Sequence, residues 1–285
     1  LGGLDVPADT NIGDVEFIEI ASQGNAINFG DLTAGRRQCC GTSNSVRGIV
    51  AGGSAPGVIN IIESMQISTG GTTVDFGDLT AARKSAGSAS NAHGGLNDGY
   101  QGTRIAPIPQ GGGAGQRLIR YMGNDGSSNF TDVGFLTIST TGNENDFGDA
   151  LTGAGGQVDG LGGEVRALFA GEGGDTVNID TLTFQHKGNA SDFGDLTAAR
   201  FGTAPANSST RGLFQGGKTP GVLNTIDYVT IATIGNATDF GDLTDARNGA
   251  APGASTTRAV AAGGFDPSVS DIIDYVTIAS TGNST

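Results

Sequence analysis

The sequence predicts an all-β fold built from one repeated four-stranded unit, and three observations carry the prediction. A Phe-Gly-Asp signature recurs at a near-constant period, short apolar stretches alternate with polar positions, and glycine takes 51 of the 285 positions. The signature stands at Phe29-Gly30-Asp31, Phe76-Gly77-Asp78, Phe147-Gly148-Asp149, Phe193-Gly194-Asp195 and Phe240-Gly241-Asp242, with spacings of 47, 71, 46 and 47 residues. A period of this size belongs to solenoids or propellers, in which one supersecondary unit is repeated. The long spacing is one period plus about 24 inserted residues. No stretch keeps a helical periodicity, and glycine at this density would cost a helix about 1 kcal/mol at each interior site.

Each period reads as four short strands. The first is an apolar run ending in Gly-Gly, as in Arg47 to Gly53 and Arg211 to Gly217, and it is expected to be the innermost. The second alternates with period two, as in Ile226 to Ile231. A Gly-Asn turn such as Gly235-Asn236 follows, suited to positive φ in a hairpin. The third strand carries the signature, as in Thr238 to Thr244, and the fourth is small and weak, as in Gly249-Ala250-Ala251. Four strands per repeat with a recurrent Leu-Thr-x-Ala-Arg exit describe a propeller blade.

Second-strand segments occur six times, at 15–20, 62–67, 135–139, 180–184, 227–231 and 274–278, against five signatures. Six blades of about 47 residues are therefore expected, with five blades and a spare strand as the alternative. Gly2-Gly3 aligns with the end of a first strand, and Ser280 to Asn283 precedes the place of a sixth signature. The expectation is one propeller domain over residues 1–285, part of a longer polypeptide or closed by pairing of its two ends.

The order Arg…Gly-Gly, then Asp-Tyr at Tyr228 and Tyr275, then aromatic-x-x-Leu-x-x-x-Arg resembles the kelch repeat. Phe240 takes the place of its usual Trp and Arg247 that of its Arg; the chain has no Trp, so it is kelch-like. The wording of the repeat, Asp-Tyr-Val-Thr-Ile-Ala-Ser-Thr-Gly-Asn at 274–283 and Ala-Thr-Asp-Phe-Gly-Asp-Leu-Thr at 237–244, resembles repeats of virion structural proteins from marine bacteriophages.

Composition excludes several functions. A net charge of −14 without a Lys/Arg cluster argues against nucleic acid or an anionic membrane as partner. No apolar run is long enough to span a bilayer as a helix, and Leu1 to Asn11 has neither the basic start nor the apolar core of a signal peptide. Cys39 and Cys40 are the only cysteines, too few for a disulfide framework or a four-ligand zinc site. His93 and His186 lie far apart, no Gly-x-Ser-x-Gly elbow occurs, and the Asp-Phe-Gly triplets lack every other kinase element. A kelch-type copper oxidase would need a Tyr, His and Cys ligand cluster that these residues do not supply. No enzyme and no cofactor are expected. Calcium is the one metal left open, since Gly155 to Gly160 partly resembles a calcium-binding nonapeptide.

The repeat also places charges. Asp31, Asp78, Asp195 and Asp242 precede Arg36, Arg83, Arg200 and Arg247 by five residues. Each pair is expected to tie a third strand to the blade exit by charge-assisted hydrogen bonds. Asp149 is followed instead by Ala154, so that blade is expected to be locally weaker. The insertion at 92–115 is expected between the second and third repeats, joining the last strand of one blade to the first of the next. Its Asn97, Asp98, Tyr100 and Arg104 are the interaction candidates, since loops on a rigid scaffold carry recognition and Tyr and Arg are frequent anchors.

The expected function is a non-enzymatic virion structural protein, a propeller on a phage tail, fibre or capsid surface. Its expected partners are other virion proteins and a host surface protein or glycan, and its place is the particle, or otherwise the extracellular space. The alternatives are a bacterial carbohydrate-binding or adhesive propeller, and a propeller hydrolase or lyase using acids at the central channel.

Overall fold

The computed structural model describes residues 2–5, 9–91, 117–152, 157–172 and 176–285. These form strands and turns, with no helix among the described residues. At the N-terminus β1 (Gly3–Asp5) pairs with β2 (Thr10–Ile12), and β3 (Asp14–Phe17) with β4 (Ile27–Asp31). Four antiparallel four-stranded blades follow. Blade I holds β5 (Cys40–Ser43), β6 (Arg47–Ala51), β7 (Ile61–Gln66) and β8 (Val74–Asp78). Blade II holds β9 (Gly87–Ser90), β10 (Arg117–Tyr121), β11 (Asp132–Thr137) and β12 (Asn145–Asp149). Blade III holds β13 (Asp159–Gly162), β14 (Arg166–Ala170), β15 (Asn178–Thr183) and β16 (Ser191–Asp195). Blade IV holds β17 (Ala204–Asn207), β18 (Arg211–Gln215), β19 (Thr225–Thr230) and β20 (Thr238–Asp242). Blade V is three-stranded, with β21 (Ala251–Ala254), β22 (Arg258–Ala262) and β23 (Ile273–Thr277).

The fold is a β-propeller of five blades, and the six-blade expectation is corrected. Among the described residues five segments, β5, β9, β13, β17 and β21, supply an innermost strand, and together they line one central cavity of about 260 Å³. The strand order within a blade is corrected as well. The small, weak strand read as the fourth is the innermost strand of the next blade, and the run ending in Gly-Gly is second. Crowding at the axis explains the choice of residues. A Cβ on Gly160 would lie 2.6 Å from the Ser88 carbonyl oxygen of the neighbouring inner strand, so the inner strands are restricted to Gly, Ala, Ser and Pro with few exceptions.

One set of contacts builds every junction between blades. Phe76 packs against Leu118 and Leu136 of blade II, and Phe147 against Phe169 and Leu182 of blade III. Phe193 meets Val229 of blade IV, and Phe240 meets Val276 of blade V. All four rings are buried between neighbouring blades, as the repeat requires. The glycine after each ring has φ between +146° and +154°, and it sits at a bulge in the ladder, a conformation open mainly to glycine. A Cβ on Gly241 would come 2.5 Å from the Gly282 carbonyl oxygen of the next hairpin. That hairpin glycine donates its N–H to the signature carbonyl: Gly142 to Phe76, Gly188 to Phe147, Gly235 to Phe193 and Gly282 to Phe240, at 2.8–3.0 Å.

The β3–β4 sheet closes the ring, with an arginine bond toward blade V and the backbone bonds of the other junctions toward blade I. Arg258 of blade V donates to the Ile20 carbonyl at 3.1 Å, as Arg211 of blade IV donates to Ile278 at 2.7 Å. On its other side the sheet accepts from blade I, through Gly71 N–H to the Phe29 carbonyl and Thr73 N–H to the Asp31 carbonyl. Gly2 and Gly3 take the positions of Gly216 and Gly217, with φ of +61° against +64° at the first of each pair.

Candidate functional site

The central channel, the usual place for propeller chemistry, is lined by neutral groups. Thr42, Ser43, Ser88, Ser90 and Asn207 supply hydroxyls and an amide, and Gly, Ala, Leu and Pro supply the rest. No carboxylate, imidazole, amine, guanidinium, thiol or aromatic ring is among its lining residues. Such a wall can offer weak hydrogen bonds to a guest, and it holds neither a proton-transfer pair nor a stacking platform for a sugar.

The expected Asp/Arg pairing is corrected in its partner. Arg36, Arg200 and Arg247 are buried, and their guanidinium groups reach Glu63, Asp227 and Asp274 at 2.7, 2.8 and 3.0 Å. Arg83 reaches Asp132 at 2.6 Å. These acids stand on the third strand of the following blade, whereas Asp31, Asp78, Asp195 and Asp242 end their own strands at partly or fully exposed positions. The arginine leaves the chain after the signature strand and turns inward across the junction, away from the aspartate five residues earlier. Burial of the ion pair makes it a junction lock, because removing either partner leaves a buried charge alone.

The junction of blades II and III departs from this plan. The expectation on Ala154 lies outside the described residues. There Asp180, fully buried, accepts from the Tyr121 hydroxyl and from the Leu151 N–H at 3.2 Å. Glu172, equally buried, accepts from the same hydroxyl at 3.1 Å and from Thr152. Burial, with Asp180 alongside, pushes the Tyr121 hydroxyl and the Glu172 carboxyl above their usual ranges. Burial also pushes Asp159 up to about 7, although Thr203 donates its N–H and hydroxyl to Oδ2 at 2.6 and 2.9 Å. A propeller hydrolase or lyase, the last of the sequence-based alternatives, would use acids at the central channel. Neither Glu172 nor Asp159 lies on the channel wall, and Glu172 is closed off from solvent. Sequence reasoning missed this cluster because Tyr121, Glu172 and Asp180 are brought together only by the docking of two blades.

Among the described residues no group of three or more His, Cys, Asp and Glu could hold a metal ion. Cys39 and Cys40 form no disulfide; burial raises both thiols, Cys40 to about 12, which keeps it protonated and unreactive at neutral pH. His186 sits at the tip of the blade III hairpin at an exposed position.

Asn97, Asp98, Tyr100 and Arg104, with His93 and the rest of 92–115, lie outside the described residues. The two ends of that segment are described, and they correct its place. It joins β9 to β10 within blade II rather than linking two blades. Asn91 N–H donates to the Arg117 carbonyl and Arg117 N–H to Asn91 Oδ1, at 3.3 and 3.0 Å. The same bonds close the tight turn Asn44 to Arg47 of blade I. The insertion thus departs from the end of an innermost strand, beside Ser90 of the channel wall. No protein-family model and no curated protein sequence matches the chain.

Proposed function

We propose that this propeller is a non-enzymatic structural protein of a phage particle, displayed on a tail, fibre or capsid surface and working through protein contacts. The observation that carries the reading is the channel wall, which among the described residues has no titratable side chain where a propeller enzyme would hold its acids. The resemblance of the repeat to kelch repeats, with Phe in place of Trp, and to repeats of marine phage virion proteins supports the setting. A net charge of −14 supports a soluble, displayed body that anionic surfaces repel. The insertion at 92–115 supplies the contact element, with Asn97, Asp98, Tyr100 and Arg104 as its recognition residues and another virion protein or a host surface molecule as its target. No cofactor takes part. Mass spectrometry of purified particles, with antibody labelling of intact ones, tests the reading. The expected result is the chain in stoichiometric amounts with its epitopes exposed; a chain confined to the soluble lysate would overturn it.

A further inference from the structure

Arg83, Arg200 and Arg247 each carry a cation onto an acid of the next blade, and the junction of blades II and III keeps the acid without the cation. Asp180 stands on β15 where Asp227 stands on β19, each opposite the first aspartate of the signature strand. Asp227 receives Arg200 at 2.8 Å. The stretch that would supply the partner of Asp180, from Tyr121 to Val165, contains no Lys or Arg. A second acid fills the space instead. Glu172 takes the second position of the Gly-Gly pair, the place of Gly217 and Gly264. A Cβ on Gly217 would lie 3.2 Å from Arg200 Cδ, and one on Gly264 3.1 Å from Arg247 Cδ. The Glu172 side chain thus enters the room that the arginine takes elsewhere, with the opposite charge.

The donors around the two acids are too few for two charges. Tyr121, held by stacking on Phe169 at 4.3 Å, has one hydroxyl proton for both Asp180 and Glu172. Thr152 donates its hydroxyl to Glu172, and Leu151 its N–H to Asp180 at 3.2 Å. Asp180 Oδ1 is buried without a donor among the described residues. The two carboxyl groups are hydrogen-bond neighbours, a contact that needs a proton on one of them. The other charged groups of the packed elements are engaged elsewhere or exposed. Arg120 of β10 turns to Glu144 and Asp132, Asp159 of β13 to Thr203, and Arg200 to Asp227. Asp149 at the end of β12 and Asp192 on β16 are exposed.

We propose that a single proton, carried by Glu172 and shared with Asp180, stands in for the missing arginine and makes this junction a pH-sensitive joint of the ring. The joint is locked while the proton is held and loosened when it leaves to solvent. With the proton in place, a neutral carboxyl donates to one carboxylate, and Tyr121, Thr152 and Leu151 serve the remaining oxygens. Without it, two carboxylates face each other away from water, where like charges oppose the second ionisation. Burial, with Asp180 alongside, accordingly holds the Glu172 carboxyl above its ordinary value of 4.5. A group raised in the folded state lends stability that is complete below the ordinary value and is lost as pH rises through the raised one. The arginine-locked junctions keep their charge balance across that range. The proposal is independent of the virion reading.

Native-state hydrogen exchange of the full chain, corrected for intrinsic rates, reads the joint. The Gly188 and Ala190 amides donate across it to Phe147 and Asp149, and those of Gly142 and Glu144 donate across the junction of blades I and II. The latter is the comparison, because Asp159 titrates where blade III meets blade IV. Between about pH 5 and about pH 8, protection of Gly188 and Ala190 should fall at least ~10-fold relative to Gly142 and Glu144. Glu172→Gln, whose amide donates to Asp180 at every pH, should abolish that fall. The same substitution should remove a protonated-carboxyl infrared band present in the unsubstituted chain at about pH 6. Equal pH response of the two junctions would overturn the proposal, and that comparison stands without the variant. A fall that persists in Glu172→Gln, or a band that survives it, would overturn it too. Protection restored at about pH 8 by millimolar calcium would assign the pair to a cation and overturn it as well.

Discussion

Phe240 illustrates what the repeat requires of a single side chain. Its ring is 2% exposed, packs into the cluster with Val276 and Ile278, and meets Tyr228 edge-on at 5.9 Å. Truncation empties a site that the stiff strands around it cannot close. Phe240→Ala is therefore expected to cost about 3–5 kcal/mol in denaturant unfolding, and a loss within about 0.5 kcal/mol would refute the packing role. Asp159 makes a second prediction at this scale. The folded chain holds its proton up to about 7, well above the ordinary carboxyl value of 3.8. Between those pH values the fold binds a proton that the unfolded chain has released. Its contribution to stability is thus complete below about pH 4, declines as pH rises to about 7, and is level beyond, with a slope of at most about 1.4 kcal/mol per pH unit. Asp159→Asn, which keeps an oxygen for Thr203, should flatten that decline. Unfolding curves of both proteins from pH 4 to 8 with the same slope would contradict the assignment.

At the scale of elements, the sequence shows its strands more clearly than their neighbours. The signature strands, the Gly-Asn hairpins and the buried Phe positions were legible because each is fixed by local chemistry: a positive φ, an alternating face, a large apolar ring. The innermost strand was misplaced because Gly87 to Ser90 and Ala251 to Ala254 have little apolar surface to mark them as strands; their small side chains answer to crowding at the axis. The arginine partners were misread for a related reason, since Arg247 and Asp274 lie 27 residues apart and meet only across a junction. The insertion's place follows from the corrected strand order. Because Asn91 and Arg117 already make the bonds of a tight turn, replacing residues 92–116 with the blade I pair Ser45-Val46 should leave cooperative unfolding intact. Loop-closure entropy favours the shorter connection by about 0.6 kcal/mol for each halving of length. Assembly into particles or adsorption to host cells should fall. Loss of the folding transition would show that the segment completes the scaffold, and unchanged assembly and adsorption would remove its recognition role.

Across the whole molecule, one contact set repeats from junction to junction: a buried ring, a glycine against a hairpin, an arginine capping a carbonyl. The ring therefore behaves as a chain of equivalent interfaces rather than a single core, and its seam is built from parts distant in sequence. The central claim is that the β3–β4 sheet is docked on blade I by the same backbone bonds as the junctions between blades, and meets blade V through Arg258. Native-state hydrogen exchange at single amides tests it most directly. The Gly71 and Thr73 amides, which donate to Phe29 and Asp31, should exchange as slowly as those of Gly235 and Ala237, which donate to Phe193 and Asp195. Exchange of Gly71 and Thr73 at open-loop rates, with Gly235 and Ala237 still protected, would contradict it.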